Sequence, residues 1–132
     1  MKKFIPLIFI LIAAVALLSY YMYNKPHAET LNAVADVVIS PAELLASYDL
    51  DEKKADQMYL DKIIEIKGSI KTINSLPEGS SISLDTGNEL ASVICEFESP
   101  DAIKKVKVGD VVKIKGFCTG KLSDIILTRC SM

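Results

Sequence analysis

The sequence has few of the residue types on which catalytic and metal sites depend. It contains one histidine, His27, no tryptophan, and three cysteines that form no Cys-x-x-Cys pair. A nucleophilic side chain needs an activating base beside it, and a zinc site needs several ligands at short spacing. Because a lone histidine offers neither arrangement, we expect no enzyme activity, no metal site and no cofactor. No pattern indicates a small-molecule substrate either.

An excess of positive charge is also missing. Beyond residue 27 the chain holds 12 of the 15 basic residues and all 17 acidic ones, which gives that part a net charge of −5. Recognition of nucleic acid depends on a basic surface that neutralises phosphates. The composition therefore argues against nucleic acid as a partner.

What the sequence does contain is one long apolar run near its start. After Lys2 and Lys3, no charged residue occurs from Phe4 to Tyr23. About 20 apolar residues at a rise of ~1.5 Å match a hydrocarbon core of ~30 Å. Lysines on the amino side favour a cytoplasmic N-terminus. We predict that residues 1–27 form a signal anchor with one transmembrane helix, so that the C-terminal domain lies on the outer, extracytoplasmic or periplasmic side of the cell membrane.

A cleaved signal peptide is the alternative. Ala14-Val15-Ala16 is a small-x-small site of the kind that signal cleavage accepts, and the chain would then be secreted. Cleavage there would leave Leu17 to Tyr23 as an apolar start of the mature chain. The sequence therefore favours the uncleaved anchor.

Two short segments precede the main domain. Asn24 to Ala35 is a polar stretch with Pro26 and no sustained period, and we predict a tether over residues 28–39. Ser40-Pro41-Ala42-Glu43 is a capping box with proline at the first helical position. It predicts an amphipathic helical segment over residues 40–60, which Asp49 to Asp51 divides into two short helices.

From residue 61 to residue 132 the apolar period changes to two, which is typical of half-buried strands. Five such runs are separated by turn signals, with a longer link between the third and the fourth. This is the element order of an OB-type Greek-key barrel, so the predicted fold class is mainly β. Ile66-Lys67-Gly68 recurs as Ile114-Lys115-Gly116 in the first and fourth strands. Each glycine predicts a bend or a bulge.

The sequence resembles the tRNA-anticodon-like OB-fold family of small exported bacterial proteins. The resemblance covers roughly residues 40–130 and is most specific in the run from Cys118-Thr119-Gly120 through Asp124-Ile125-Ile126-Leu127 to Cys130. It is also carried by residues 42–48, 55–59, 62–68, 93–97 and 109–117. The resemblance implies an OB fold and a cell-envelope setting. It does not by itself imply nucleic-acid binding.

The usual ligand surface of an OB barrel is the outer face of its second and third strands. The alternation places the following side chains there: Ser81, Ser83, Asp85, Ser92, Ile94 and Glu96. Single-strand binding needs aromatic platforms and a cationic groove, and this face has neither.

A basic cluster is the candidate interaction face. It comprises Lys113, Lys115 and Phe117 on the fourth strand, and Lys104, Lys105 and Lys107 in the preceding link, and Lys121 belongs to the same run of lysines. One hypothesis is contact with anionic lipid or with an acidic partner. An exposed lysine near an anionic membrane surface contributes about 1 kcal/mol to the free energy of membrane binding. The interpretation we favour is a solvated face that pairs with the acidic helical segment.

The three cysteines allow one disulfide if the domain lies in an oxidising compartment. The third and fifth strands of an OB barrel are parallel neighbours, which favours Cys95–Cys130. A wide final loop would favour Cys118–Cys130 instead.

Together these observations predict a membrane-anchored binding module of the OB type that contacts another component of the cell envelope, with an envelope protein as the candidate partner. Binding of single-stranded nucleic acid or of an oligosaccharide through the barrel is the alternative.

Overall fold

The computed structural model describes residues 5–23 and 33–132. The helices are α1 (Ile5–Tyr23), α2 (Pro41–Leu50) and α3 (Glu52–Tyr59), with a 3₁₀ helix at Pro100–Ile103. The strands are β1 (Val37–Ile39), β2 (Ile63–Leu76), β3 (Gly79–Leu84), β4 (Val93–Phe97), β5 (Val111–Lys121) and β6 (Ile125–Ser131).

Strands β2 to β6 form the closed barrel that the sequence predicts. The sheet runs β1-β2-β3-β4-β6-β5, and an antiparallel pairing of β2 with β5 closes it. Strands β4 and β6 are parallel, while the other barrel pairs are antiparallel. The long strand β2 serves two neighbours, because residues 63–69 pair with β5 and residues 70–76 pair with β3. An extra residue between Ile70 and Thr72 marks the change of partner.

Strand β1 corrects the prediction that residues 28–39 are only a tether. Val37–Ile39 pairs in parallel with Ile64–Ile66 and adds a sixth strand beside the barrel. Asp36 begins this pairing, since its amide donates to the Ile63 carbonyl at 2.8 Å and its carboxylate accepts from the Ile63 amide at 3.0 Å. Three residues are too few to display a period of two, which is why the strand was missed. Residues 28–32 of the predicted tether, and His27, lie outside the described residues.

The helical segment 40–60 is divided as predicted. Ser40 caps α2: its hydroxyl accepts from the Glu43 amide at 3.3 Å, and its own amide donates to the Glu43 carboxylate at 3.2 Å. Asp51 ends α2 and caps α3, where its carboxylate accepts from the Lys54 amide at 3.1 Å. The two helices pack on β2 and β5, and apolar side chains such as Leu44 of α2 and Tyr59 of α3 join the barrel core.

The core is built from the alternating apolar side chains of the strands. The fully buried residues with the largest side chains are Leu44, Ile64, Ile66, Ile82, Leu84, Val93, Cys95, Ile114, Cys118, Ile125 and Leu127. Burial of one such aliphatic side chain contributes about 1.5–3 kcal/mol. The hydrophobic effect acting on one continuous core therefore holds the barrel and both helices together.

The repeated Ile-Lys-Gly segments are related across the β2–β5 pairing. Ile66 lies opposite Ile114, so that Gly68 and Gly116 fall at equal distances on either side of this pair. A Cβ atom at Gly68 would lie 2.5 Å from Pro41 Cγ, and one at Gly116 would lie 2.6 Å from Cys130 Sγ. Close approach of neighbouring groups therefore requires both glycines. Gly116 also faces an extra residue in β6, so the bulge at this point lies in the neighbouring strand and not in β5, the strand that carries the glycine.

Helix α1 is apolar and carries no acidic residue in its first turn and no basic residue in its last. Its side chains from Ile8 to Tyr21 are exposed. Within residues 5–23 and 33–132, no helix meets the combined length and hydropathy expected of a membrane span.

Candidate functional site

The outer surface of β3 and β4 carries short polar side chains. Alternation turns Ile82 and Cys95 into the core, and it leaves Ser81 beside Glu96 and Ser83 beside Ile94 on the outside. We call the surface formed by Ser81, Ser83, Ile94 and Glu96 the β3–β4 face. The alternation in the sequence predicts these four side chains on this face, and the structure places them there.

A hollow of about 300 Å³ opens at one end of the β3–β4 face. Ser81 and Glu96 line it together with Asn74 and Glu78 from the end of β2 and the following turn, and Phe97 contributes to its wall. None of the eight residues that line the hollow is basic, and two are glutamates. The hollow therefore offers carboxylates, an amide and hydroxyls, which suit cationic or hydroxyl-bearing groups better than phosphates.

Sequence reasoning missed Asn74 as a member of this site. The extra residue between Ile70 and Thr72 breaks the alternation of β2, so that Ile70 and Ile73 both turn inward although they are three positions apart. The apolar Ile73 followed by the polar Asn74 is the sequence signal that β2 continues beyond the extra residue, and Asn74 is exposed in the structure.

The loop between β5 and β6 is held by one carboxylate. Asp124 accepts hydrogen bonds from the amide of Ser92 at 2.7 Å and from its hydroxyl at 2.9 Å. Ser92, predicted to be a face residue, therefore fixes the approach of β4 to β6. Asp85 accepts from the Gly87 amide at 2.9 Å and so shapes the turn after β3. Ser92 and Asp85 therefore have structural roles.

The predicted basic cluster is divided by the structure. Lys113 and Lys115 extend from β5 toward Glu65 on β2, with Nζ–carboxylate distances of 3.2 and 3.9 Å. Phe117 follows on the same side of β5, and the guanidinium of Arg129 lies 5.8 Å from its ring centre. We call Lys113, Lys115 and Phe117 the β5 stripe.

The other lysines of the cluster lie in the link between β4 and β5. Lys104 pairs with Asp101, while Lys105 and Lys107 are exposed. Lys121, at the end of β5, pairs with Asp49 of α2. This last contact is of the kind that the favoured interpretation predicts, whereas Glu65 was not foreseen because it becomes a neighbour of the lysines only through the register of β2 and β5.

The cysteines occupy two different surroundings. The Cys118 thiol lies 3.6 Å from the Tyr48 hydroxyl, and burial raises the pKa of both groups. The Cys95 thiol instead has Cys130 as its neighbour, and this neighbour together with burial raises the pKa of Cys95. All three are free thiols in this structure. Among the described residues, no group of three or more side chains is arranged to hold a metal ion.

Comparison with known proteins gives a family and a fold. A family model described as tRNA_anti-like matches residues 1–132. No curated protein matches the sequence.

Two solved structures have similar folds. The first is a proposed nucleic acid-binding lipoprotein from Klebsiella pneumoniae, with a TM-score of 0.59, 17% identity, and coverage of 81% of this chain and 98% of that one. The second is a proposed aspartyl-tRNA synthetase from Leishmania major, with a TM-score of 0.50, 15% identity, and coverage of 88% of this chain. This chain spans only 24% of the synthetase.

Proposed function

This chain belongs to the tRNA_anti-like family, and from that premise we propose that it is a non-catalytic binding module whose barrel contacts another component of the cell envelope. The partner binds at the β3–β4 face, and the hollow at its end receives a cationic or hydroxyl-bearing group of that partner.

The observation that carries this proposal is the position and charge of the hollow. OB barrels bind their ligands on the outer face of the second and third barrel strands, next to the turn that joins the first two. In this chain those strands are β3 and β4, and the turn contains Glu78. The hollow lies at that place, and its lining contains Glu78 and Glu96 but no basic residue. Its charge opposes a phosphate backbone and favours a basic segment of a protein.

Photo-crosslinking in cells that carry the full chain tests this site. A photoreactive residue at Ser81 should crosslink to one envelope protein, and the same residue at the exposed Lys53 of α3 should not. Glu78→Lys should abolish the crosslink from Ser81, because it places a cation where the partner's cation binds. Glu89→Lys, which changes an exposed acid outside the hollow, is the matched control. Equal crosslinking from Ser81 and Lys53, or insensitivity to Glu78→Lys, would contradict the proposal.

The proposed module is held at the membrane by α1. Support comes from the exposed apolar side chains of this helix, which have little reason to face water. Alkaline phosphatase fused after Met132 should be active, and a reporter that fluoresces only in the cytoplasm should stay dark at the same position. The reverse result would put the barrel in the cytoplasm and contradict an envelope partner.

Binding of single-stranded nucleic acid is a second candidate, at a different surface. The β5 stripe joins two lysines to an aromatic ring that a guanidinium approaches, the combination that single-strand binding uses. Against it, Glu65 neutralises part of the lysine charge. Fluorescence anisotropy with labelled single-stranded DNA and RNA at low and high salt tests it. Salt-sensitive binding that Lys113→Glu with Lys115→Glu abolishes would favour this candidate over the first.

A further inference from the structure

Two of the three cysteines lie on β4 and β6, which are parallel neighbours in the barrel. Cys95 lies beside Leu127 in the parallel pairing of these strands. After Thr128, the left-handed conformation of Arg129 (φ 52°) inserts an extra residue into β6. Cys130 consequently turns back toward the barrel, where its Sγ donates to the Leu127 carbonyl at 3.3 Å, and Leu127 is the residue that lies beside Cys95 on β4.

Gly116 on β5 leaves the space that the Cys130 sulfur occupies. A Cβ atom there would lie 2.6 Å from Cys130 Sγ, well inside van der Waals contact. The position of the sulfur is thus set from two sides, by the Leu127 carbonyl and by the Gly116 backbone. This confinement holds the Cys130 sulfur beside Leu127, the neighbour of Cys95 in the β4–β6 pairing.

The third thiol has a different neighbour. Cys118 is fully buried, and its sulfur lies 3.6 Å from the Tyr48 hydroxyl of α2. That contact directs the Cys118 sulfur toward α2, while the sulfur of Cys130 lies against Leu127, the β6 neighbour of Cys95. The structure therefore gives a reason to choose between the two disulfides that the sequence leaves open, Cys95–Cys130 and Cys118–Cys130.

We propose that Cys95 and Cys130 form a disulfide when a disulfide oxidant such as oxidised glutathione is present, and that Cys118 remains a thiol. The Cys130 thiolate attacks the disulfide of the oxidant and releases one thiol; Cys95 then attacks Cys130 Sγ in the mixed disulfide and releases the second. Two cysteine thiols lose two electrons and two protons in all, and the oxidant takes up both as its own disulfide is reduced to two thiols.

The order of these steps follows from accessibility. Cys130 is partly exposed and meets the oxidant first, whereas Cys95 is 0% exposed. The neighbouring Cys130 and burial raise the pKa of Cys95, so that its thiolate forms rarely at neutral pH. The second step is consequently expected to be slow and to accelerate as the pH rises.

The disulfide would fasten the last strand of the barrel. Strand β6 ends at Ser131, one residue before the end of the sequence given, and its contacts with β4 run only from Ile125 to Leu127. A covalent link from Cys130 to Cys95 extends this attachment past the extra residue at Arg129. Oxidation should therefore oppose fraying of β6 from the barrel.

Peptide mapping of the full chain, reduced and held in detergent, tests the proposal directly. After oxidised glutathione and blocking with N-ethylmaleimide, trypsin places the three cysteines in separate peptides, residues 72–104, 116–121 and 130–132. The expected product joins 72–104 to 130–132, with 116–121 carrying the maleimide. A link that includes 116–121, a link between two chains, or three blocked cysteines would each overturn the proposal.

Variants and a stability measurement separate the bond from its alternatives. Cys130→Ser should abolish the cross-link, and Cys118→Ala should leave it intact. Oxidation should raise the Tm of the wild-type chain by at least about 5 °C, because the bond restricts the unfolded state, and should not change the Tm of Cys130→Ser. An equal rise in Cys130→Ser would contradict the assignment. Should Cys118→Ala fail to fold, the wild-type peptide map still decides the pairing.

Discussion

Replacing Gly68 by alanine tests how closely α2 must approach the barrel. A Cβ atom at this position would lie 2.5 Å from Pro41 Cγ and 3.1 Å from Pro41 Cδ. The proline ring is rigid, and the Ser40–Glu43 capping box fixes the backbone around it. Leu44, one turn further, is fully buried and holds the helix in place. Either α2 or β2 must therefore shift to admit one methyl group.

The expected cost follows from known effects of overpacking. An extra methyl group in a well-packed interior costs about 1–3 kcal/mol. Alanine also restricts the unfolded chain, which returns about 0.4–1 kcal/mol. The net loss for Gly68→Ala should be roughly 1–2 kcal/mol, or a fall in Tm of roughly 5–15 °C for a domain of this size.

A double-mutant cycle identifies the cause of this loss. Pro41→Ala removes the ring atoms that the new methyl group would meet, so Gly68→Ala should cost about 1 kcal/mol less in that background. Urea unfolding of the full chain in detergent, followed by circular dichroism, measures all four corners of the cycle. Gly79→Ala is the control, because its nearest contact would be 3.3 Å. Additive losses, or equal losses at positions 68 and 79, would refute the reasoning.

Two further predictions concern charge. Hydrogen bonds from Ser40 lower the pKa of Glu43, so their stabilisation is present above the ordinary titration range of glutamate and is lost as the pH falls through the lowered pKa. The difference in urea midpoint between the wild type and Ser40→Ala should therefore shrink in acid, and a constant difference would contradict this. Glu65→Gln removes the carboxylate shared by Lys113 and Lys115, so binding to anionic vesicles relative to neutral ones should rise by up to about 1 kcal/mol per lysine. Lys113→Glu with Lys115→Glu should cancel that rise, and a rise that persists would contradict the role of the lysines.

The barrel could be predicted from the sequence because its strands obey simple alternation. Residues expected to point inward, such as Ile82 and Leu84, are fully buried, and the capping box at Ser40 begins a helix where expected. Alternation gives the face of a strand but not its neighbour. The pairing of Glu65 with Lys113 depends on the register of β2 and β5, which has no local signature in the sequence.

The features that alternation misses share one physical cause. An extra residue near Ile70 shifts the period of β2 and brings Asn74 to the hollow, and an extra residue at Arg129 turns Cys130 toward Cys95. A bulge redirects the side chains that follow it by one position, and thereby places a polar or reactive group where regular alternation would place its neighbour. The proposed binding site and the proposed disulfide thus both depend on irregular residues within otherwise regular strands. Substitutions that restore regular pairing at these two bulges should disturb the sites before they disturb the barrel, since the core residues on either side, such as Ile82 and Leu127, keep their own pairings.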